Sequence, residues 1–232
     1  MDPIVMVPGL GSDAAVWQPT ITELGPDVDC RVGDTLSDDT LPSMAARILN
    51  DAPRRFVLAG VSMGGMVALE IMRAAPERVA ALALFDTNAR PDTPEQTARR
   101  QATNAAMLQT DDLAALATPA ISYMLHPSAN QHIRAALTEM TVRVGATAYV
   151  RQNKALTLRD DLRPVLATIS VPTIVVVGAD DLMTPLACSQ EISSAIAGAV
   201  LHVVPDCGHL PPIEQPRVVA KLIRDWLRDA KA

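Results

Sequence analysis

Residues 56–65 read Phe56-Val57-Leu58-Ala59-Gly60-Val61-Ser62-Met63-Gly64-Gly65: an apolar run, then Gly-x-Ser-x-Gly, then the helical pattern of Met63–Ala75. Strand, sharp turn and helix are the setting in which that motif has a physical meaning. A serine at the apex of such a turn takes a strained backbone conformation, and the flanking chain is forced close to itself. Side chains at Gly60 and Gly64 would collide there, so both positions call for glycine. The turn lifts the Ser62 hydroxyl to the carboxyl edge of a sheet. It also sets the Met63 amide at a helix N-terminus, where partial positive charge can stabilise an oxyanion.

Outward from this turn, short β-branched runs alternate with longer helical patterns, which predicts an α/β fold with a mostly parallel sheet. The strand candidates are Ile4–Val7, Asp29–Val32, Phe56–Ala59, Val79–Phe85, Thr173–Val177 and Leu201–Val204. Most are continuous apolar runs, as expected of strands covered on both faces. Helical patterns fall at Ala14–Leu24, Leu41–Ala52, Met63–Ala75, Pro185–Ala197 and Gln215–Ala230, with Pro76 closing the third. One interval breaks the rhythm. From Thr87 to Ser170 only helical stretches occur, around Pro94–Leu108, Asp111–Leu116, Ala129–Val144 and Thr147–Leu156, separated or ended by Pro119, Pro127 and Pro164. So long a connection is an excursion off the sheet, inserted after the fourth predicted strand. The expected organisation is a core of residues 1–86 and 171–232 with a helical cap subdomain at 87–170.

A serine hydroxyl needs an adjacent base, itself oriented by a carboxylate. Val175-Val176-Val177-Gly178-Ala179-Asp180-Asp181 ends a strand on two acids, and Asp86 ends another. Pro205-Asp206-Cys207-Gly208-His209-Leu210-Pro211 places a histidine in the loop after the last strand. Carboxyl ends of parallel strands share one rim, so these distant residues can converge with Ser62. His202 lies inside a strand pattern and reads as structural; His126 and His132 belong to the cap, and His126 could approach the pocket. Cys207, two residues before His209, invites a thiol-nucleophile reading that the serine turn makes unnecessary. After the first strand, Val7-Pro8-Gly9-Leu10-Gly11-Ser12 lets a backbone amide reach a ligand without side-chain obstruction. The Leu10 amide is the expected second oxyanion donor beside Met63. This is not a dinucleotide loop, because the third glycine of that fingerprint is missing.

Composition bounds what else the chain can be. It has 232 residues, 49% hydrophobic, 20% charged and 3% aromatic, with net charge −6. Two Trp, two Tyr and two Phe offer little for base stacking, and the charge has the wrong sign for a phosphate groove, so nucleic acid is excluded as a partner. Three cysteines with no C-x-x-C pair argue against a zinc ribbon or a disulfide framework, and four scattered histidines give no metal signature. No metal or cofactor is expected. The start Met1-Asp2-Pro3 has an acid where a signal peptide needs a base, and no stretch reaches the ~18 apolar residues of a membrane span; a cytoplasmic protein without a membrane partner is expected.

With Gly60–Gly65, Asp181, Gly208-His209 and the Pro8–Trp17 loop in place, the whole chain resembles an α/β-hydrolase, nearest to small capped bacterial esterases, enol-lactonases and C–C hydrolases. The resemblance implies a Ser62, Asp181, His209 triad in that chain order, with oxyanion amides from Leu10 and Met63. Asp181 is preferred to Asp180 because Gly178-x-x-Asp181-x-x-x-Pro185 matches the family spacing; Asp86 is a rival, since some members carry the acid there. Two departures stand out. Many relatives have His-Gly where this chain has Pro8-Gly9. The chain also begins at what the family would count as its third strand, so a reduced sheet of about six strands is expected. The implied activity is hydrolysis of carboxylic esters with small to medium acyl groups through an acyl-enzyme. Tyr123, Met124, Met183 and Leu210 are candidates for lining an aliphatic, Met-bearing pocket that tolerates several acyl groups. Alternatives are lactone or C–C bond hydrolysis, where Arg90, Arg134 or Arg151 would meet an anionic substrate, and a ligand sensor that keeps the triad.

Overall fold

All six apolar runs become strands of one sheet in the computed structural model, which describes residues 2–229. They are β1 (Ile4–Val7), β2 (Cys30–Val32), β3 (Phe56–Val61), β4 (Val79–Phe85), β5 (Thr173–Gly178) and β6 (Val200–Val204). The order is β2-β1-β3-β4-β5-β6 and every pairing is parallel. Each connection therefore crosses over the sheet, and side chains alternate between its two faces. Phe56 and Leu58 of β3, with Leu82 and Leu84 of β4, join one core; Val57, Ala59 and Val61, with Ala83 and Phe85, join the other.

The helices complete the two layers. α1 (Gln18–Leu24) and α10 (Pro216–Asp229) cover one face, with Leu24, Val219, Ile223 and Leu227 packed against Ile4 and Met6. α2 (Leu41–Asp51), α3 (Met63–Ala74) and α8 (Leu186–Ala195) cover the other. α3 is buried continuously from Met63 to Met72, so it is a core helix rather than an amphipathic surface one. Truncating one of its large side chains, Leu69→Ala for example, falls in the range of about 2–5 kcal/mol. The strand order reverses between β1 and β3: the connection after β1 covers one face, whereas α3 covers the other. A crevice opens at such a switch point, outside the carboxyl ends of the strands.

Between β4 and β5 lie α4 (Pro94–Gln109), α5 (Leu113–Met124), α6 (Gln131–Thr157) and the short α7 (Arg163–Leu166). Their starts are capped by side chains: Thr93 with Gln96 in a capping box, Asp112, and Asn130. Two sequence expectations need correction here. Pro119 does not divide the segment; it sits inside α5 with its ring exposed, so the backbone acceptor it leaves free can be solvated. The two helices expected at Ala129–Val144 and Thr147–Leu156 are both present within α6 and part at Gly145, whose φ of 74° and ψ of 161° are not helical and need a residue without Cβ. Pro164 opens α7 rather than ending a helix. Elsewhere, the helix expected at Ala14–Leu24 is a 3-10 turn (Ala14–Val16) followed by α1, and that expected at Gln215–Ala230 is preceded by α9 (Pro211–Glu214). Ala230 lies outside the described residues. Among the described residues, no helix is long and apolar enough to cross a membrane.

Candidate active site

Ser62 follows β3 directly and caps α3 with φ 56° and ψ −119°, a left-handed conformation that costs a non-glycine residue strain. The surroundings over-determine it. The Ser62 amide donates to the Phe85 carbonyl at 2.9 Å; its own carbonyl accepts from the Gly65 amide at 3.0 Å and the Thr87 hydroxyl at 2.8 Å. A Cβ on Gly60 would overlap the Gly64 carbonyl, and one on Gly64 would overlap the Val7 carbonyl of β1. Both glycines are thus steric necessities. The loop after β1 lies against the serine: a Cβ on Gly9 would sit 3.2 Å from Ser62 Cβ and 3.8 Å from its Oγ.

The Ser62 hydroxyl oxygen is 2.9 Å from His209 Nε2, and His209 Nδ1 is 2.9 Å from each carboxylate oxygen of Asp181. The three come from the loops after β3, β6 and β5, and His209 and Asp181 are both buried. Asp181 Oδ1 also accepts from the Met183 and Thr184 amides (2.8 and 3.1 Å), and Oδ2 from the Thr184 hydroxyl (2.6 Å). Burial works against the charge on Asp181, but the hydrogen bond and field of His209, with the Thr184 donors, outweigh it and hold the carboxyl below the usual carboxylate range. With a carboxylate facing Nδ1, the histidine keeps its proton on that side and presents Nε2 as an acceptor to Ser62.

The histidine loop is itself fixed. The His209 amide donates to the Met124 carbonyl at 2.7 Å, and a Cβ on Gly208 would collide with the Met124 carbonyl. Glu214 binds both sides of this contact: Oε2 accepts from the His126 and Gly208 amides (2.8 and 3.2 Å), and Oε1 from Leu210 (3.0 Å). On the other side, the buried Gln152 of α6 accepts from the Gly11 amide at 2.8 Å and donates to Thr35 at 3.2 Å, while the Tyr149 ring covers Gly11. Sequence reasoning missed Thr184, Glu214 and Gln152. Thr184, three residues after Asp181, could have been read as a donor to it, and Glu214 lies only four and six residues from the Leu210 and Gly208 amides that it binds; Gln152 carries no local signal, since its partners are far along the chain.

The other candidates divide. Asp86 is fully buried beside Asp181 and His209, its Oδ1 accepting from the Gly178 amide at 2.8 Å. Asp180 faces outward, 3.6 Å from His126 Nε2, and the His126 ring also meets Ser128. Cys207 is buried, and burial pushes its thiol far above the range of a thiolate nucleophile. Leu10 is half-buried on the loop against Ser62, and Met63 is the first residue of α3, where an N–H has no partner within its own helix. Leu210 is buried and Met124 half-buried; Tyr123 and Met183 are exposed, and the Tyr123 hydroxyl donates to the Leu182 carbonyl at 3.3 Å. Asp86, Asp181 and His209 each bring one ligand-type atom within 4.8 Å of the others, the spacing of a small cation site, but the last two already spend those atoms on each other.

A strained serine turn between a strand and a core helix, hydrogen-bonded to a histidine and through it to an aspartate on later strand ends, has a counterpart in known families. The sequence profile of the alpha/beta hydrolase family matches residues 4–222. The chain belongs to this family. Among its alpha/beta hydrolase relatives is a pimeloyl-[acyl-carrier protein] methyl ester esterase of Vibrio parahaemolyticus, 25% identical, with 97% of this chain and 94% of the relative covered. A thermophilic esterase from Thermogutta terrifontis superposes with a TM-score of 0.90 at 27% identity, covering 100% of this chain and 91% of that one. The enol-lactonase from Burkholderia xenovorans LB400 shares the fold, with a TM-score of 0.84 at 24% identity over 98% of this chain and 92% of that one. Membership of the alpha/beta hydrolases and the esterases among the relatives support hydrolysis as the coarse activity.

Proposed function

We propose that the chain is a serine hydrolase that cleaves carboxylic esters of small to medium acyl groups through an acyl-enzyme. The observation that carries this reading is the unbroken relay from Ser62 Oγ to His209 Nε2 and from His209 Nδ1 to Asp181, each step 2.9 Å. Ser62 Oγ attacks the ester carbonyl carbon as its proton passes to Nε2. The carbonyl oxygen becomes an oxyanion held by the Met63 and Leu10 amides, a contribution worth about 10²–10³ in rate per donor. Collapse breaks the acyl–oxygen bond, and the leaving alkoxide takes the proton from Nε2. A water then gives its proton to His209 and attacks the acyl carbon, and Ser62 leaves with that proton restored. Asp181 fixes the imidazole and stabilises its cation without itself taking the proton.

The esterase named among the curated relatives and the esterase among the structural neighbours support esters as substrates. The arginines that an anionic lactone or C–C substrate would use are engaged elsewhere. Arg90 pairs with Glu191, Arg134 donates to the carbonyls of His126, Pro127 and Ala129, and Arg151 donates to the Leu36 carbonyl. A p-nitrophenyl ester series of increasing acyl length, run beside Ser62→Ala, tests the proposal. Prompt turnover by the wild type and a loss of about 10⁴-fold or more in the variant are expected. Activity that survives Ser62→Ala, or binding of esters without turnover by the wild type, would refute it.

A further inference from the structure

The reacting set uses one acid, yet the site holds two. Asp86 ends β4 with φ 42°, its amide donating to the Val176 carbonyl and its Oδ1 accepting from the Gly178 amide. It is fully buried, and its Oδ2 has no partner. The orphaned oxygen is the anomaly: a buried carboxylate oxygen without a donor forfeits its hydration for nothing. A carboxyl oxygen of Asp86 and one of Asp181 lie within 4.8 Å, together with a ring nitrogen of His209. Two adjacent buried carboxylates cannot both stay ionised. Asp181 has the donors that fix a charge, namely His209, Thr184 and Met183, and its Oδ2 carries only the Thr184 hydroxyl besides the imidazole.

We infer that Asp86 is a neutral carboxylic acid in the resting protein and that its Oδ2–H donates to the Asp181 carboxylate, making Asp86 a positioning residue for the triad acid. The inference rests on the reading of Asp181 as that acid. It resolves the orphan, because a protonated Oδ2 is a donor facing an acceptor rather than an acceptor facing nothing. The titratable groups packed around Asp86 are Asp181 on the loop after β5, Cys207 and His209 on the loop after β6, and Glu214 of α9. Burial pushes its carboxyl well above the usual range, and the charges on Asp181 and Glu214 push the same way, against the Gly178 donor. Asp86 thereby differs in kind from the acid it supports: same side chain, same rim, opposite protonation state.

Asp86→Asn reproduces the proposed state, with an amide acceptor for Gly178 and an N–H donor for Asp181. Its ester turnover is expected within about threefold of wild type, with the acid limb of kcat/KM unmoved. Asp86→Leu removes the donor and is expected to lower kcat at least tenfold with KM within about twofold. A second measurement needs no catalysis. An acid neutral when folded and ionised when unfolded takes up a proton on folding, so it lowers stability progressively as pH rises above the unfolded value of about 4. Urea unfolding should therefore show Asp86→Asn gaining on wild type from pH 4 upward. The inference is overturned if Asp86→Asn loses 100-fold in activity, if its acid limb moves down by about one unit as removal of a nearby negative charge demands, or if Asp86→Leu turns over like wild type. A stability difference independent of pH also overturns it. Should Asp86→Leu not fold, the Asp86→Asn arms still decide. Should Ser62→Ala remain active, the unfolding arm still reports the proton on Asp86 separately.

Discussion

The turn at Ser62 and the loop after β1 touch each other, yet they are held by opposite means. The turn is fixed by backbone: Gly60 and Gly64 leave no room for any other arrangement, and Phe85, Gly65 and Thr87 saturate the polar groups of Ser62. The loop after β1 is fixed by side chains that arrive from α6, 130 residues away or more, through Gln152, Tyr149 and the Arg143–Asp13 pair. A backbone device is all-or-none, because atoms either overlap or do not. A side-chain device is graded, because each contact can be weakened alone.

The largest effect should come from breaking the backbone device. Gly64→Ala would push a methyl into the Val7 carbonyl, which is main chain and cannot step aside. We expect destabilisation of about 3 kcal/mol or more together with loss of ester turnover, read by urea unfolding and a p-nitrophenyl assay. A fully active, fully stable Gly64→Ala would show that the turn is not sterically locked. Next, Asp181→Asn should lower turnover by about 10³–10⁴-fold while Asp180→Asn stays within about threefold, since only the first orients His209. Asp181 is held below the ordinary carboxylate range, so its charge stabilises the fold above the unfolded value of about 4 and ceases to as pH falls through the folded value. The stability advantage of wild type over Asp181→Asn should therefore be largest near neutrality and shrink in acid.

Loop changes should be milder, and separable. Gln152→Leu leaves the buried Gly11 amide without an acceptor, at about 1–3 kcal/mol. We expect kcat to fall roughly 10-fold with KM little changed, because the displaced amide of Leu10 acts on the transition state. An equal rise in KM would place Gln152 in substrate binding instead. Arg143→Ala removes an ion pair with a half-exposed arginine, worth at most about 1 kcal/mol, and turnover should change less than twofold, more at low salt than at high.

The same contrast explains what could be read from the chain in advance. Gly-x-Ser-x-Gly after an apolar run encodes its own geometry within ten residues, and the apolar runs of β1, β3, β4 and β5 announce doubly covered strands. That Ser62, Asp181 and His209 can meet follows from strand ends sharing a rim, whereas their chain order was implied by the resemblance to α/β-hydrolases. Gln152 was silent because a buried polar side chain is recognised only by its partner, and its Gly11 partner lies 141 residues away; Glu214 has near partners in Gly208 and Leu210, but the His126 amide that it also binds lies 88 residues away. The break at Gly145, by contrast, was legible: it falls between the helical stretches expected at Ala129–Val144 and Thr147–Leu156.

One arrangement reaches beyond the site. Ser62 grows from an inner strand of the sheet, whereas His209 follows β6, the edge strand, whose Val200 and Val203 stay half-exposed. The two are 147 residues apart, and among the described residues β6 is made after the five other strands. On the proposed mechanism, the nascent chain can thus form the serine turn before its base is in place, and the hydroxyl is armed only once β6 has docked. In the folded protein the same mechanism runs the order backwards: fraying of β6 disarms Ser62 while the interior of the sheet is still intact.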